Sequence, residues 1–257
     1  MLELKNVCKT FNAHTINEKV ALRGVNLHLN QGDFVTMIGG NGAGKSTLMN
    51  AIAGVWPIDQ GSIIVDGQDV THLPEHRRAT LLGRVFQDPM MGTAATMQIE
   101  ENLAIAARRG QKRTLKVGIT RAEREEYREK LKMLGLGLED RMTAKVGLLS
   151  GGQRQALTLL MATLNAPKLL LLDEHTAALD PKTAAKVLEL TESIIAEQQL
   201  TAMMVTHNLR YAVEYGSRML MLDRGHIVLD KRGEEKQRLK VDDILDIFTK
   251  ISIECGN

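Results

Sequence analysis

The sequence predicts an α/β fold carrying a helical insertion, and three observations support this. A short apolar run, Phe34-Val35-Thr36-Met37-Ile38, ends in a glycine-rich segment and leads into a helix-like stretch. A second apolar run, Leu169-Leu170-Leu171-Leu172, ends in the acidic pair Asp173-Glu174. Between them, residues 89–146 lose the strand texture and read as helical. With 257 residues, 44% of them apolar and 25% charged, the chain is long enough for one large domain, or for one core with an insertion.

Taken in order, residues 2–7 and 25–29 alternate apolar and polar side chains and read as half-buried strands. Residues 34–38 have the continuous apolar character of a strand covered on both faces. The amphipathic segment 45–53 stops at Gly54 and Pro57, which are helix exit signals. Residues 62–65 form a strand entering the Asp66-Gly67 turn. Residues 99–107 and 121–134 read as helices, joined by a basic loop, Arg108-Arg109-Gly110-Gln111-Lys112-Arg113. Solvation of that loop is the simpler reading, against contact with phospholipid headgroups or nucleic acid. The α/β rhythm then resumes: a helix to residue 164, a strand at 168–173, a helix at 183–198 and a strand at 202–205. Two short strands flank Asp223-Arg224-Gly225, and the charged tail from Lys231 carries a helix over 241–248.

Composition excludes several classes. Thirty-three Lys and Arg against 31 Asp and Glu leave a net charge of +2, too little for binding nucleic acid through the overall field. Four Phe, three Tyr and one Trp leave little for a base-stacking platform. Cys8 and Cys255 make neither a disulfide framework nor a metal cluster and fit a reducing compartment. No apolar run approaches the roughly 20 residues of a spanning helix. The start, Met1-Leu2-Glu3-Leu4-Lys5, lacks the apolar stretch of a signal peptide, so a role at a membrane would run through a partner.

Gly39-Gly40-Asn41-Gly42-Ala43-Gly44-Lys45-Ser46, followed by Thr47, fits the pattern G-x-x-x-x-G-K-[ST] between a strand and a helix. Glycines let successive backbone N–H groups turn inward on phosphate oxygens. The helix starting at Lys45 adds free N–H groups and its positive dipole end. Lys45 reaches the β/γ-phosphates, and the Ser46 hydroxyl suits Mg²⁺. Asp173, at the carboxyl end of its strand, is placed to hold the same Mg²⁺ through water. Glu174, one residue on, is placed to polarise an attacking water. The expected ligands are therefore a nucleotide's phosphates and Mg²⁺. Leu149-Ser150-Gly151-Gly152-Gln153 forms a second helix start with exposed N–H groups, facing a second phosphate-bearing surface.

With these motifs in place, and in this order, the sequence resembles the ATP-binding subunit of the ABC (ATP-binding cassette) transporter family over nearly its whole length. It is most similar to stand-alone prokaryotic importer cassettes. Leu149 to Gln153 matches the family's signature sequence in full. Gln87 resembles the Q-loop glutamine, which touches Mg²⁺ at the hinge to the helical insertion. Asp180, in Ala178-Leu179-Asp180, resembles the D-loop aspartate at the dimer interface. His207 resembles the switch histidine that contacts the γ-phosphate.

The resemblance implies a P-loop NTPase (RecA-like) core with an antiparallel β subdomain, over residues 1–88 and 147–230. An α-helical subdomain would span 89–146, and a charged tail 231–257. It also implies two copies of the chain, or one and a homologous cassette, meeting head-to-tail. Ser150, Gly151, Gly152 and Gln153 of one copy would serve the nucleotide held by the other. Glu174, His207 and Gln87 would carry catalysis, on the cytoplasmic face of a membrane beneath integral permease subunits. An extracytoplasmic solute-binding protein would belong to the same system. Residues 97–103 most resemble cassettes for uptake of amino acids or related small solutes. The rival is a soluble cassette ATPase acting in macromolecular or iron–sulfur cluster assembly.

Two positions depart from the family pattern. His175 stands where proline often follows the acidic pair, and is read as tolerated without a catalytic role. Phe11 is the candidate adenine-stacking aromatic, with core packing as the competing reading, because a long segment (12–19) follows it.

Overall fold

The computed structural model describes residues 1–111 and 118–254, with side chains to residue 250. Two sheets organise it. The smaller is antiparallel, with strand order β2-β1-β4-β5. Its strands are β1 (Leu2–Phe11), β2 (Lys19–Leu29), β4 (Gln60–Val65) and β5 (Gln68–Asp69), with β3 (Phe34–Gly39) and α1 (Lys45–Ala53) inserted in sequence before β4. Leu2, Leu4, Val25, Leu27 and Leu29 point to its buried face, as the alternation predicts. Both long strands extend beyond the expected limits. Register shifts between Leu4 and Thr10 let β1 keep pairing with β2 as far as Phe11–Lys19.

The larger sheet comprises β6 (Leu82–Val85), β7 (Leu169–Asp173), β8 (Thr201–Val205), β9 (Arg218–Asp223) and β10 (His226–Arg232), together with β3. The order is β10-β9-β3-β8-β7-β6, parallel except for the β9–β10 hairpin. Side-chain alternation explains why the central strands are apolar throughout. Leu169 and Leu171 of β7 join the cluster with Leu48, Met49 and Ile52 of α1. Leu170 and Leu172 face the cluster beneath the opposite surface. Each of these four fully buried leucines contributes about 2 kcal/mol.

The remaining helices are α2 (Glu75–Arg78), α3 (Ile99–Ala107), α4 (Arg121–Lys132), α5 (Gly151–Thr163), α6 (Pro181–Glu197), α7 (Leu209–Glu214), α8 (Glu234–Gln237) and α9 (Val241–Glu254). Helices α1 and α3 span the expected residues. Helix α4 ends two residues early, because Gly135 adopts a left-handed φ of 62° just beyond it. Helix α9 runs six residues past the expected end. The insertion is not a separate core: Ile99, Leu103, Tyr127 and Leu131 share one cluster with Leu157 of α5 and Leu170 of β7. Lys112 and Arg113 of the basic loop, and Cys255, lie outside the described residues. Among the described residues, no helix is long and apolar enough to cross a membrane.

Candidate active site

The carboxyl ends of three adjacent parallel strands, β3, β8 and β7, open on one edge of the large sheet. Open parallel sheets place their ligands at such an edge. Strand β3 delivers the glycine-rich loop, β7 delivers Asp173 and Glu174, and β8 delivers His207 two residues past its end.

A cavity of about 430 Å³ at this edge is lined by Asn41, Gly42, Ala43, Gly44, Lys45, Ser46, Thr47, Glu174, His207 and Phe11, and by Lys19, Ala21 and Trp56. Gly44 stands at the N-cap of α1 with no side-chain oxygen to cap it, so the first-turn N–H groups stay available to an anion. Its φ is 108°, and a Cβ there would lie 2.6 Å from the Ala21 carbonyl oxygen. At Gly39 a Cβ would lie 2.3 Å from the Leu222 carbonyl oxygen. Both positions demand glycine for lack of space.

Lys45 is buried, and its ammonium donates to the Gly39 and Gly40 carbonyls at 2.7 and 3.0 Å. Burial lowers its pKa, while the charges of Glu174 and Asp173 act in the opposite direction. The ammonium's hydrogen bonds inside the loop thus go to two neutral carbonyls, which it can exchange for phosphate oxygens.

Glu174 Oε1 lies 2.6 Å from His207 Nε2. Pairing of Asp173 with Val205 fixes this approach, and the Glu174 N–H donates to the Val205 carbonyl at 3.0 Å. Glu174 has a left-handed φ of 46°, a geometry costing a non-glycine residue about 1 kcal/mol. That backbone hydrogen bond holds the turn in place.

The residues present fit Mg²⁺. Among the described residues no cluster of three His, Cys, Asp or Glu side chains exists to cage a metal. Ser46 supplies one hydroxyl without a partner among the described residues, and Asp173 supplies one half-buried carboxylate with a single 3.5 Å contact to Arg84. So sparse a donor set suits an ion that keeps its waters and takes the remainder of its shell from phosphate.

The other predicted residues lie elsewhere. Gln87 lines a neighbouring cleft of about 660 Å³ with Asp173, Arg84, Asn50 and Phe86. The buried Gln155 side chain of α5 donates to the Phe86 carbonyl at 3.1 Å and so anchors the segment before Gln87. Ser150 caps α5: its hydroxyl accepts from the Gln153 N–H at 3.3 Å, and the Gln153 side chain accepts from the Ser150 N–H at 3.2 Å. Ser150 and Gly151 are exposed and line neither hollow.

Asp180 caps α6, accepting from the Thr183 N–H at 3.1 Å, and hydrogen bonding by the Thr183 side chain and backbone lowers its pKa. A Cβ on Gly152 would meet Thr183 at 2.2 Å, and one on Gly151 would meet Leu179 at 3.3 Å. The starts of α5 and α6 are therefore packed together, so the segments ending at Gln153 and Asp180 lie side by side.

His175 is buried in the core, 2% exposed. Phe11 lies in the cavity, where its ring meets Trp56 at 5.0 Å between centroids. Lys19 and Trp56 are cavity residues that the sequence reading missed. Lys19 reaches the cavity by pairing with Phe11 at strand ends that the local sequence pattern does not mark. Trp56 carried only its rarity.

The family model for ABC transporter proteins matches residues 22–177. The chain is 43% identical over 248 residues to a tyrosine transport ATP-binding protein of Clostridioides difficile (strain R20291), covering 96% of this chain and 98% of the relative. It is 33% identical over 258 residues to the xylose/arabinose import ATP-binding protein XylG of Sulfolobus acidocaldarius, covering 100% and 98% of the two chains. Among solved structures, it resembles the ADP conformation of an ATP-binding cassette of an ABC transporter, with a TM-score of 0.80, 27% identity, and coverage of 100% and 99%. It also resembles a dimeric cassette in a post-hydrolysis state bound to ADP and Pi, with a TM-score of 0.77, 30% identity, and coverage of 90% and 98%.

Proposed function

Because the chain belongs to the ABC transporter family, whose ATP-binding subunits hydrolyse ATP to power transport, we propose that it drives uptake of a small, amino-acid-like solute. In this reading it sits on the cytoplasmic face of a membrane, beneath permease subunits and in a system with an extracytoplasmic solute-binding protein. The observation that supports the solute class is the 43% identity, across nearly both full lengths, to a tyrosine transport subunit. Relatives named for import of sugars, polyamines and methionine support the direction. None of them favours the assembly-ATPase reading.

The chemistry follows from the site. The loop N–H groups and Lys45 bind the β- and γ-phosphates and fix them in line with Glu174. Ser46, Asp173 and Gln87 would hold Mg²⁺, which would supply neutralisation of the phosphate charge. Glu174 accepts the proton of the attacking water as the water oxygen bonds to the γ-phosphorus and the bond from that phosphorus to the β–γ bridging oxygen breaks, releasing ADP and phosphate. His207, whose Nε2 lies 2.6 Å from Glu174 Oε1, keeps the carboxylate turned toward the phosphate end and contacts the γ-phosphate oxygens.

Ser150, Gly151, Gly152 and Gln153 lie outside their own chain's cavity and offer a hydroxyl and helix-start N–H groups. They complete the site of a second, head-to-tail copy or a homologous cassette. Closure around two nucleotides excludes water, and hydrolysis reopens the dimer. The helical segment 89–146 transmits the movement, joined to the core 1–88 and 147–230 through Gln87, while 231–257 forms the tail.

Purification from native membranes, followed by reconstitution in proteoliposomes, tests this. The expected result is co-purification with a multi-span protein and ATP-dependent uptake of a labelled amino acid. Isolation with soluble scaffold proteins alone would contradict it.

A further inference from the structure

We propose that Trp56 is a specificity-determining residue for the nucleotide base: with Phe11 it forms a two-walled aromatic corner that takes a purine. This rests on the nucleotide reading of the cavity. The two rings meet at 83° with centroids 5.0 Å apart. A flat base stacked on one wall therefore presents its edge to the other. Both rings line the same cavity as Lys45, Ser46 and Thr47, so an anion held in the loop and a base held in the corner can belong to one ligand.

The spacing is built into a rigid element. Helix α1 begins at Lys45, the phosphate ligand, and its nine residues span about 13 Å. Trp56 follows three residues after its end. The chain there is pinned to the helix: the Val55 N–H donates to the Asn50 carbonyl at 2.9 Å, and the Trp56 N–H to the same oxygen at 3.4 Å. One helix thus fixes the phosphate end and one wall of the base end together.

The chemistry of the corner suits a nitrogen heterocycle. Among the described residues no group accepts from the Trp56 indole N–H, which leaves a donor for a ring nitrogen of the base. The Lys9 ammonium lies 5.5 Å from the Phe11 ring centroid and is tied to Asp59 at 3.1 Å. That anchors Phe11 from the β1 side. Two walls favour a two-ring base, because stacking gain scales with the area covered.

Trp56 is the only tryptophan in the chain, so its fluorescence reads the corner directly. The experiment titrates the full-length protein with Mg·ATP, Mg·CTP and tripolyphosphate, following emission and, by calorimetry, affinity. It then repeats the calorimetry on Trp56→Ala and Trp56→Phe. The expected result is that ATP changes the Trp56 emission and tripolyphosphate does not, although both bind. Trp56→Ala should weaken ATP about tenfold, leave tripolyphosphate unchanged and narrow the preference for ATP over CTP, with Trp56→Phe recovering part of the loss.

Unaltered ATP affinity in Trp56→Ala, together with an emission blind to ATP, would overturn the proposal. If Trp56→Ala loses both ligands, the wild-type emission decides: a response to ATP but not to tripolyphosphate upholds it, and equal responses reject it. Failure of the wild type to bind either ligand would instead remove the nucleotide reading itself, and the corner with it.

Discussion

Glu174 Oε1 and His207 Nε2 lie 2.6 Å apart, joining the ends of β7 and β8 across the mouth of the phosphate loop. The contact orients a carboxylate whose backbone is itself confined to a left-handed φ. Glu174→Gln keeps the shape and loses the proton acceptor. Steady-state ATPase should fall at least a hundredfold, as expected for loss of a general base, while Mg·ATP still binds by calorimetry. Normal turnover in this variant would remove Glu174 from the catalytic role.

The loop depends on glycine where other backbone comes closest. At Gly44 a Cβ would lie 2.6 Å from the Ala21 carbonyl oxygen, on a backbone with φ of 108°. Gly44→Ala should therefore lower unfolding stability by about 2 kcal/mol and weaken ATP binding even with Lys45 in place. Denaturant unfolding and calorimetry on the same preparation check both effects. A fully stable variant with native affinity would show that the loop adopts another path.

His175 predicts a pH dependence. The Thr191 hydroxyl donates to the Val187 carbonyl at 2.7 Å, so its oxygen accepts from His175 Nε2, 3.1 Å away. The buried ring is held neutral, and burial pushes its pKa down from 6.5 to about 4. Because the folded-state value is depressed, the unfolded chain binds the proton first. The contribution to stability is complete above pH 6.5 and is lost as pH falls toward 4, amounting to about 3 kcal/mol. His175→Leu should flatten the stability–pH profile between those limits, as followed by denaturant unfolding. An unchanged profile would place the ring in contact with water.

Much of this architecture is legible in the sequence because its signals are local. Burial on both faces forces β3, β7 and β8 into apolar runs, and glycine spacing with a following lysine marks the phosphate loop. What the sequence hides is non-local. Trp56 gains its aromatic neighbour only because β1 brings Phe11 to it. The role of Asp180 as an α6 cap is locally encoded, in Asp-Pro before a helix. The ends of β1 and β2 were obscured by register shifts, which break the alternation that defines a strand.

The central claim is that each nucleotide site is completed by Ser150 and its neighbours from another copy. Lys45→Ala disables the loop, and Ser150→Arg blocks the signature surface while leaving the loop intact. Either variant alone should be inactive. Mixed in equal amounts, they should recover a substantial fraction of wild-type ATPase, because some dimers then pair an intact loop with an intact signature. Recovery on mixing is the predicted result; no activity at any mixing ratio, with both variants folded, would contradict the shared site.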